Sequence, residues 1–217
     1  MQLAVRIRPV RPPATRHRAF TLIELLVVIA IIAILVGLLF PAFKAVQTQA
    51  RQTQAKNDLT QIVNAVNSFY TEYGKYPLVA GDATYGSTTI PNNDLFYALR
   101  AVSAGANLNN VANPRQIVFI NPPYVKTAAN PRSGIATQAT TINGISVAIG
   151  DYVDPWGTPY NVGIDGGYDN LLANPYTANT GAGPSPLVIG VIAWSRGSDQ
   201  TQGTTNFSAS DDVISWQ

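Results

Sequence analysis

The stretch Arg18-Ala19-Phe20-Thr21-Leu22-Ile23-Glu24-Leu25-Leu26-Val27-Val28-Ile29-Ala30, continued by an apolar run to Leu38-Leu39-Phe40, decides how the chain is built. Leu25 to Phe40 is sixteen residues, all uncharged and apolar or small, and counted from Phe20 the run has 21. Roughly 20 residues at about 1.5 Å each cross the hydrocarbon of a bilayer, so the segment predicts one membrane-spanning helix. After Phe40 the chain continues Pro41-Ala42-Phe43-Lys44, with no small-x-small cleavage site followed by polar sequence, so the run is expected to stay on the mature chain. Residues 1–19 are basic and proline-rich. Positive residues ahead of a span hold the N-terminus in the cytoplasm and send the remainder outward. Glu24 is the anomaly, because an ionised carboxylate in an apolar run costs several kcal/mol unless it is paired or interfacial.

The charge balance narrows the function classes. Five of the fourteen Lys and Arg residues (Arg6, Arg8, Arg11, Arg16, Arg18) precede Phe20, and from there on nine basic side chains face twelve acidic ones. The bulk of the chain is therefore slightly acidic, with scattered cations, and carries no nucleic-acid footprint. Cysteine is absent and His17 is the one histidine, so thiol nucleophiles, disulfides, Ser-His-Asp chemistry and His-ligated zinc are excluded beyond the basic leader. No enzyme is expected.

The string from Arg18 to Ala30 resembles the class III signal of type IV pilins and type II secretion pseudopilins. The resemblance implies that a prepilin peptidase cuts between Ala19 and Phe20 and methylates the new amine of Phe20. It also makes Glu24 the glutamate required for assembly and Pro41 the helix-bending proline. The departure is Ala19, where the family has Gly. A positive Phe20 amine in the same low-dielectric layer could pair with a neighbouring subunit's Glu24, offsetting both desolvation costs and setting the stagger between subunits.

Beyond Lys44 the sequence turns amphipathic: Leu59, Ile62, Val63, Val66, Phe69, Tyr70 and Tyr73 recur at three- and four-residue steps. This predicts a helix continuing to about Tyr73, with Gly74 and Pro77 as its stop and a bend or melted turn at Gly37 and Pro41. The segments expected are a leader at 1–19, a transmembrane and assembly half-helix at 20–43, an amphipathic half-helix at 44–76 and an exported domain at 77–217. In the last, Asn93–Val102 reads as a short helix capped by Asn92 or Asn93. Runs at 116–120, 145–153 and 187–194 read as strands, and 130–143 and 174–186 as loops. The fold class is α+β, a long N-terminal helix packed on a small antiparallel sheet with long loops.

Two motifs remain. Asp154-Pro155-Trp156-Gly157-Thr158-Pro159-Tyr160 is a dense turn with a structural role, and it is similar to a motif of the major pseudopilin. In the C-terminal segment, Asp199, Asp211 and Asp212 fall within fourteen positions of a hydroxyl- and glycine-rich stretch ending in Ser215-Trp216. Composition alone leaves both solvated Asx-turns and a hard-oxygen calcium site open, and the spacing is not that of an EF-hand. The resemblance implies one calcium ion on Asp199, Asp211, Asp212 and the backbone carbonyl of Arg196; adjacent aspartates depart from the family's spacing by one residue. It further implies a helical homopolymer of this chain, an inner-membrane assembly platform with its ATPase, and minor pseudopilins at the tip. The expected setting is an inner membrane with a periplasmic C-terminal domain. A surface type IV pilin, or a membrane-anchored exported enzyme or binding domain, are the competing readings.

Overall fold

The computed structural model describes residues 20–87, 89–176, 181–203 and 207–217. It contains two compact units, one up to Val46 and one from Gln47 onward, and the predicted α+β pilin-like fold. The first element is α1, Leu22–Tyr73. Its stop is the predicted one: Gly74 adopts φ +68, a left-handed conformation that glycine enters without penalty, and its N–H bonds the Tyr70 carbonyl at 2.8 Å. Of the bend or melted turn expected at Gly37 and Pro41, the melted turn does not form, since α1 is helical through both. Pro41 removes one ladder bond, the one to the carbonyl four residues back on Gly37, and the rest of the helix carries across it.

In the first unit every described side chain of α1 is exposed, including Leu25, Ile29, Ile32, Leu35 and Leu38. Such a surface needs lipid or other apolar helices around it.

In the second unit α1 buries Ala55, Leu59, Ile62, Ala65, Val66 and Phe69 in one core. Each large side chain there contributes about 1.5–3 kcal/mol. The predicted stripe was nearly right. Val63 and Tyr73 are partly buried, while Tyr70 is 40% exposed and packs on Tyr76 and Tyr168 instead. The central sheet has the order β1 (Ala83–Tyr85), β6 (Asn161–Ile164), β7 (Val191–Ser195), β8 (Val213–Ile214), all antiparallel. Two ribbons accompany it: β2 (Gly134–Ile135) with β5 (Tyr152–Val153), and β3 (Thr140–Ile142) with β4 (Ile145–Val147). Polar links fasten α1 to this layer. Tyr160 donates its hydroxyl to Asp58 at 2.8 Å, and Lys56 Nζ donates to the Ile214 carbonyl at 2.7 Å and to a Gln217 main-chain oxygen.

Several local expectations are corrected. Residues 116–120 form no strand, because the Asn113 side chain takes the ladder's place, accepting from Ile117 N and donating to Ile117 O. The 145–153 run is two strands, β4 and β5, broken by a turn at Gly150 with φ +91. The expected loop at 130–143 contains β2 and β3, and the third run starts as β7 only at Val191. The short helix α2 spans Asn93–Leu99, three residues shorter than predicted. Asn92 occupies the cap position without capping. Its buried amide instead donates to the carbonyls of Tyr152 and Tyr160, and the Asp151 carboxylate accepts from Asn93 N.

Candidate functional site

Two loci carry the residues singled out above, one in each unit. At the start of α1, Thr21 and Glu24 satisfy each other's backbone. Glu24 Oε2 accepts from Thr21 N and Thr21 Oγ1, both at 2.8 Å, and Thr21 Oγ1 accepts from Glu24 N at 3.2 Å. This is a capping box, which pairs helix-end N–H groups that lack intrahelical partners. The Thr-x-x-Glu spacing is the sequence signal of this helix start. Glu24 shares a face with Phe20, Ile23, Val27 and Val28, and Phe20 is 78% exposed. Ala19 and the leader lie outside the described residues, as does the side chain of Pro41.

The second locus is the segment between β7 and β8. Arg196 and Gly197 leave the strand in a turn whose glycine has φ +67; a Cβ there would stand 2.5 Å from the Asp211 carbonyl oxygen. Glycine is thus required twice over, for the left-handed backbone and for the close approach of 197 to 211. That approach gathers three carboxylates. One oxygen each from Asp199, Asp211 and Asp212 lies within 4.8 Å of the others. The adjacent pair converges because residues 211 and 212 precede β8 in irregular backbone rather than alternating across a strand.

Each carboxylate is partly committed to the loop. Asp211 Oδ2 accepts from Ser198 N, Ser198 Oγ and, at 3.1 Å, Asp199 N. Asp199 Oδ1 accepts from Thr201 N at 2.8 Å and Asp212 Oδ2 from Gly203 N at 2.8 Å. Asp212 Oδ1 is buried and makes no hydrogen bond of ordinary geometry among the described residues. Burial, and then the charges of Asp211 and Asp199, push the Asp212 carboxyl above its ordinary value, against the opposing influence of Gly203 N–H and the Tyr176 hydroxyl. Ser210 Oγ accepts from Asp212 N at 3.3 Å and is occupied in the backbone of the loop.

A second apolar cluster supports this segment: Leu172, Tyr176, Ala182, Leu187, Ile192, Trp194 and Ile214, with Phe207 and Trp216 against it. Trp216 Nε1 donates to the Ala182 carbonyl at 2.7 Å. The Asp154 turn joins from the other side. Its carboxylate, fully buried, accepts Trp156 N, Gly157 N, Thr158 N and Thr158 Oγ1, and also Ser195 Oγ at the end of β7. The sequence marked this turn as structural, and its reach to Ser195 was not foreseeable from spacing.

Residues 14–40 match the family model of the prokaryotic N-terminal methylation motif. That match supports a type IV pilin-like chain. The motif points to a structural subunit and not an enzyme, and it implies processing by a prepilin peptidase and assembly into a filament. Together with the apolar half of α1 it fits a pilin-like subunit held in the membrane through its N-terminus. No curated protein matches the chain, and no solved structure does.

Proposed function

We propose that this pilin-like subunit is the major pseudopilin of a type II secretion system, polymerising with its own kind into a short periplasmic pseudopilus that helps drive folded proteins outward. The observation that carries the choice is the gathering of Asp199, Asp211 and Asp212 ahead of Ser215-Trp216, the arrangement that resembles the calcium loop of major pseudopilins. The donor set suits calcium, which takes six to eight hard oxygens from carboxylates, carbonyls and water. Asp212 Oδ1 is buried without a hydrogen bond of ordinary geometry, the Tyr176 hydroxyl being the neighbouring donor, and it offers a ligand oxygen to the site. Asp199 Oδ2 and Asp211 Oδ1 take no part in the loop bonds described above, and the Arg196 carbonyl completes the proposed set. Bound calcium would offset two of the three like charges and tie the two sides of the loop together.

In this reading Phe20 is the methylated terminus and Glu24 exchanges its Thr21 partners for the Phe20 amine of a neighbouring subunit on assembly. The N-terminus faces the cytoplasm, and the partners are the assembly platform with its ATPase and the minor pseudopilins. Deletion of the gene in the native host tests the assignment. Loss of a set of secreted proteins from the medium, restored by the wild-type gene, is expected. Unchanged secretion with loss of a surface filament would assign the chain to a surface type IV pilus.

A further inference from the structure

A second group of oxygens lies at the opposite edge of the sheet from β8. In the β1–β6 ladder Ala83 pairs with Ile164, so the next residues out, Asp82 and Asp165, extend that register with two like charges facing each other, an arrangement that destabilises a sheet. Asp165 is 2% exposed; its Oδ2 accepts from Asn170 N at 2.6 Å, and its Oδ1 is buried with no hydrogen-bond partner among the described residues. No Lys or Arg among the described residues forms an ion pair with either carboxylate. A buried carboxylate in that position is costly unless a cation accompanies it.

The glycines of Asp165-Gly166-Gly167-Tyr168 shape the space around these oxygens. A Cβ on Gly166 would stand 2.1 Å from the Gly81 carbonyl oxygen, so the two backbones touch there. A Cβ on Gly167 would stand 3.4 Å from Asp82 Oδ1 and 3.6 Å from Asp165 Oδ1, with no other non-neighbouring atom within 4 Å. Both carboxylate oxygens thus border one space that the missing side chain leaves clear. Gly167 N already donates to Asp82 Oδ1 at 3.2 Å, drawing the loop over it.

We propose that Asp82 and Asp165 form a second divalent-cation site, of calcium type, separate from the C-terminal loop and completed by backbone carbonyls and water. Paired carboxylates with carbonyl and water oxygens are hard ligands whose uneven spacing suits calcium better than the tight octahedron of magnesium. The full chain in detergent micelles, dialysed to equilibrium against calcium, should bind two ions. Gly167→Ala is the sharpest probe: its methyl meets both oxygens at ordinary contact distance, so the fold is kept, checked by tryptophan fluorescence, while the ion is displaced. Gly167→Ala and Asp165→Asn should each bind one ion. Asp199→Ala should also bind one, and Asp199→Ala combined with Gly167→Ala none. Wild-type stoichiometry in both Gly167→Ala and Asp165→Asn overturns the proposal. A single wild-type ion lost in Asp199→Ala also overturns it while leaving the C-terminal loop intact as a site; an ion lost in Gly167→Ala and retained in Asp199→Ala upholds it and refutes the loop.

Discussion

Removing the Asp154 carboxylate should destabilise the second unit by about 3–5 kcal/mol. The side chain is fully buried and its oxygens accept from three main-chain N–H groups, at 2.7 to 2.9 Å, and from two hydroxyls at 2.6 Å. In Asp154→Ala the hydroxyls of Thr158 and Ser195 can rotate to other acceptors, but the N–H groups of Trp156 and Thr158 are fixed in the turn, and Gly157 N keeps only its 3.2 Å bond to the residue-154 carbonyl. Leaving a buried donor unsatisfied costs about 1–3 kcal/mol. One gain offsets part of this: burial pushes the carboxyl above its ordinary value, so its ionised form already carries a desolvation cost that alanine removes. Domains of this size hold about 5–15 kcal/mol in total, so the variant should sit near the edge of folding. Asp154→Asn keeps one acceptor oxygen and should cost about 1–2 kcal/mol. Urea unfolding of the micelle-bound chain read by tryptophan fluorescence isolates the relevant unit, because Trp156, Trp194 and Trp216 all lie beyond Gln47. A cost below about 1 kcal/mol for Asp154→Ala, on the scale of one ordinary hydrogen bond, would refute the hub described here.

Asp151, 1% exposed, has its carboxyl pushed by burial up to about 6, so the folded state holds that proton more tightly than the unfolded chain does. Its contribution is most favourable below about pH 4 and is lost as pH rises through about 6, on the order of 3 kcal/mol; Asp151→Asn should flatten that limb in urea titrations across the range. Glu24→Ala removes an awkward carboxylate from the apolar run but also a cap and the proposed intersubunit partner, so subunits should accumulate in the membrane without filaments, visible by fractionation and electron microscopy. Calcium at a hundred times its Kd should stabilise the fold by about 2.7 kcal/mol per site. Thermal melting should show the rise with calcium, much less with magnesium, and Asp199→Ala should shrink it.

The sequence was most legible where a single local rule governs. The end of α1 at Gly74, the apolar face from Leu59 to Phe69 and the Asp154 turn each follow from side chains within a few positions of one another. It was least legible where a distant partner decides. Gly134–Ile135 pairs with β5 over only two residues and shows no periodicity. In β6, Asn161 and Gly163 interrupt the β-branched pattern, and Gly163 is needed because a Cβ would stand 2.8 Å from Ile192 Cγ1. At 116–120 the β-branched residues were present, yet one buried amide, Asn113, captured the backbone groups a strand would have used. Of the acidic sites, the C-terminal trio could be nominated from composition. Asp82 and Asp165 could not, since they are 83 positions apart and meet only through the β1–β6 register.

Intact-mass spectrometry of the chain extracted from membranes of its native host tests the central claim, that a pilin-type peptidase matures this protein for assembly. The mass should correspond to a chain beginning at Phe20, one methyl group heavier than the unmodified sequence, with fragmentation placing that methyl on the Phe20 nitrogen. A chain that retains residues 1–19, or one that begins after Phe40, would contradict the claim.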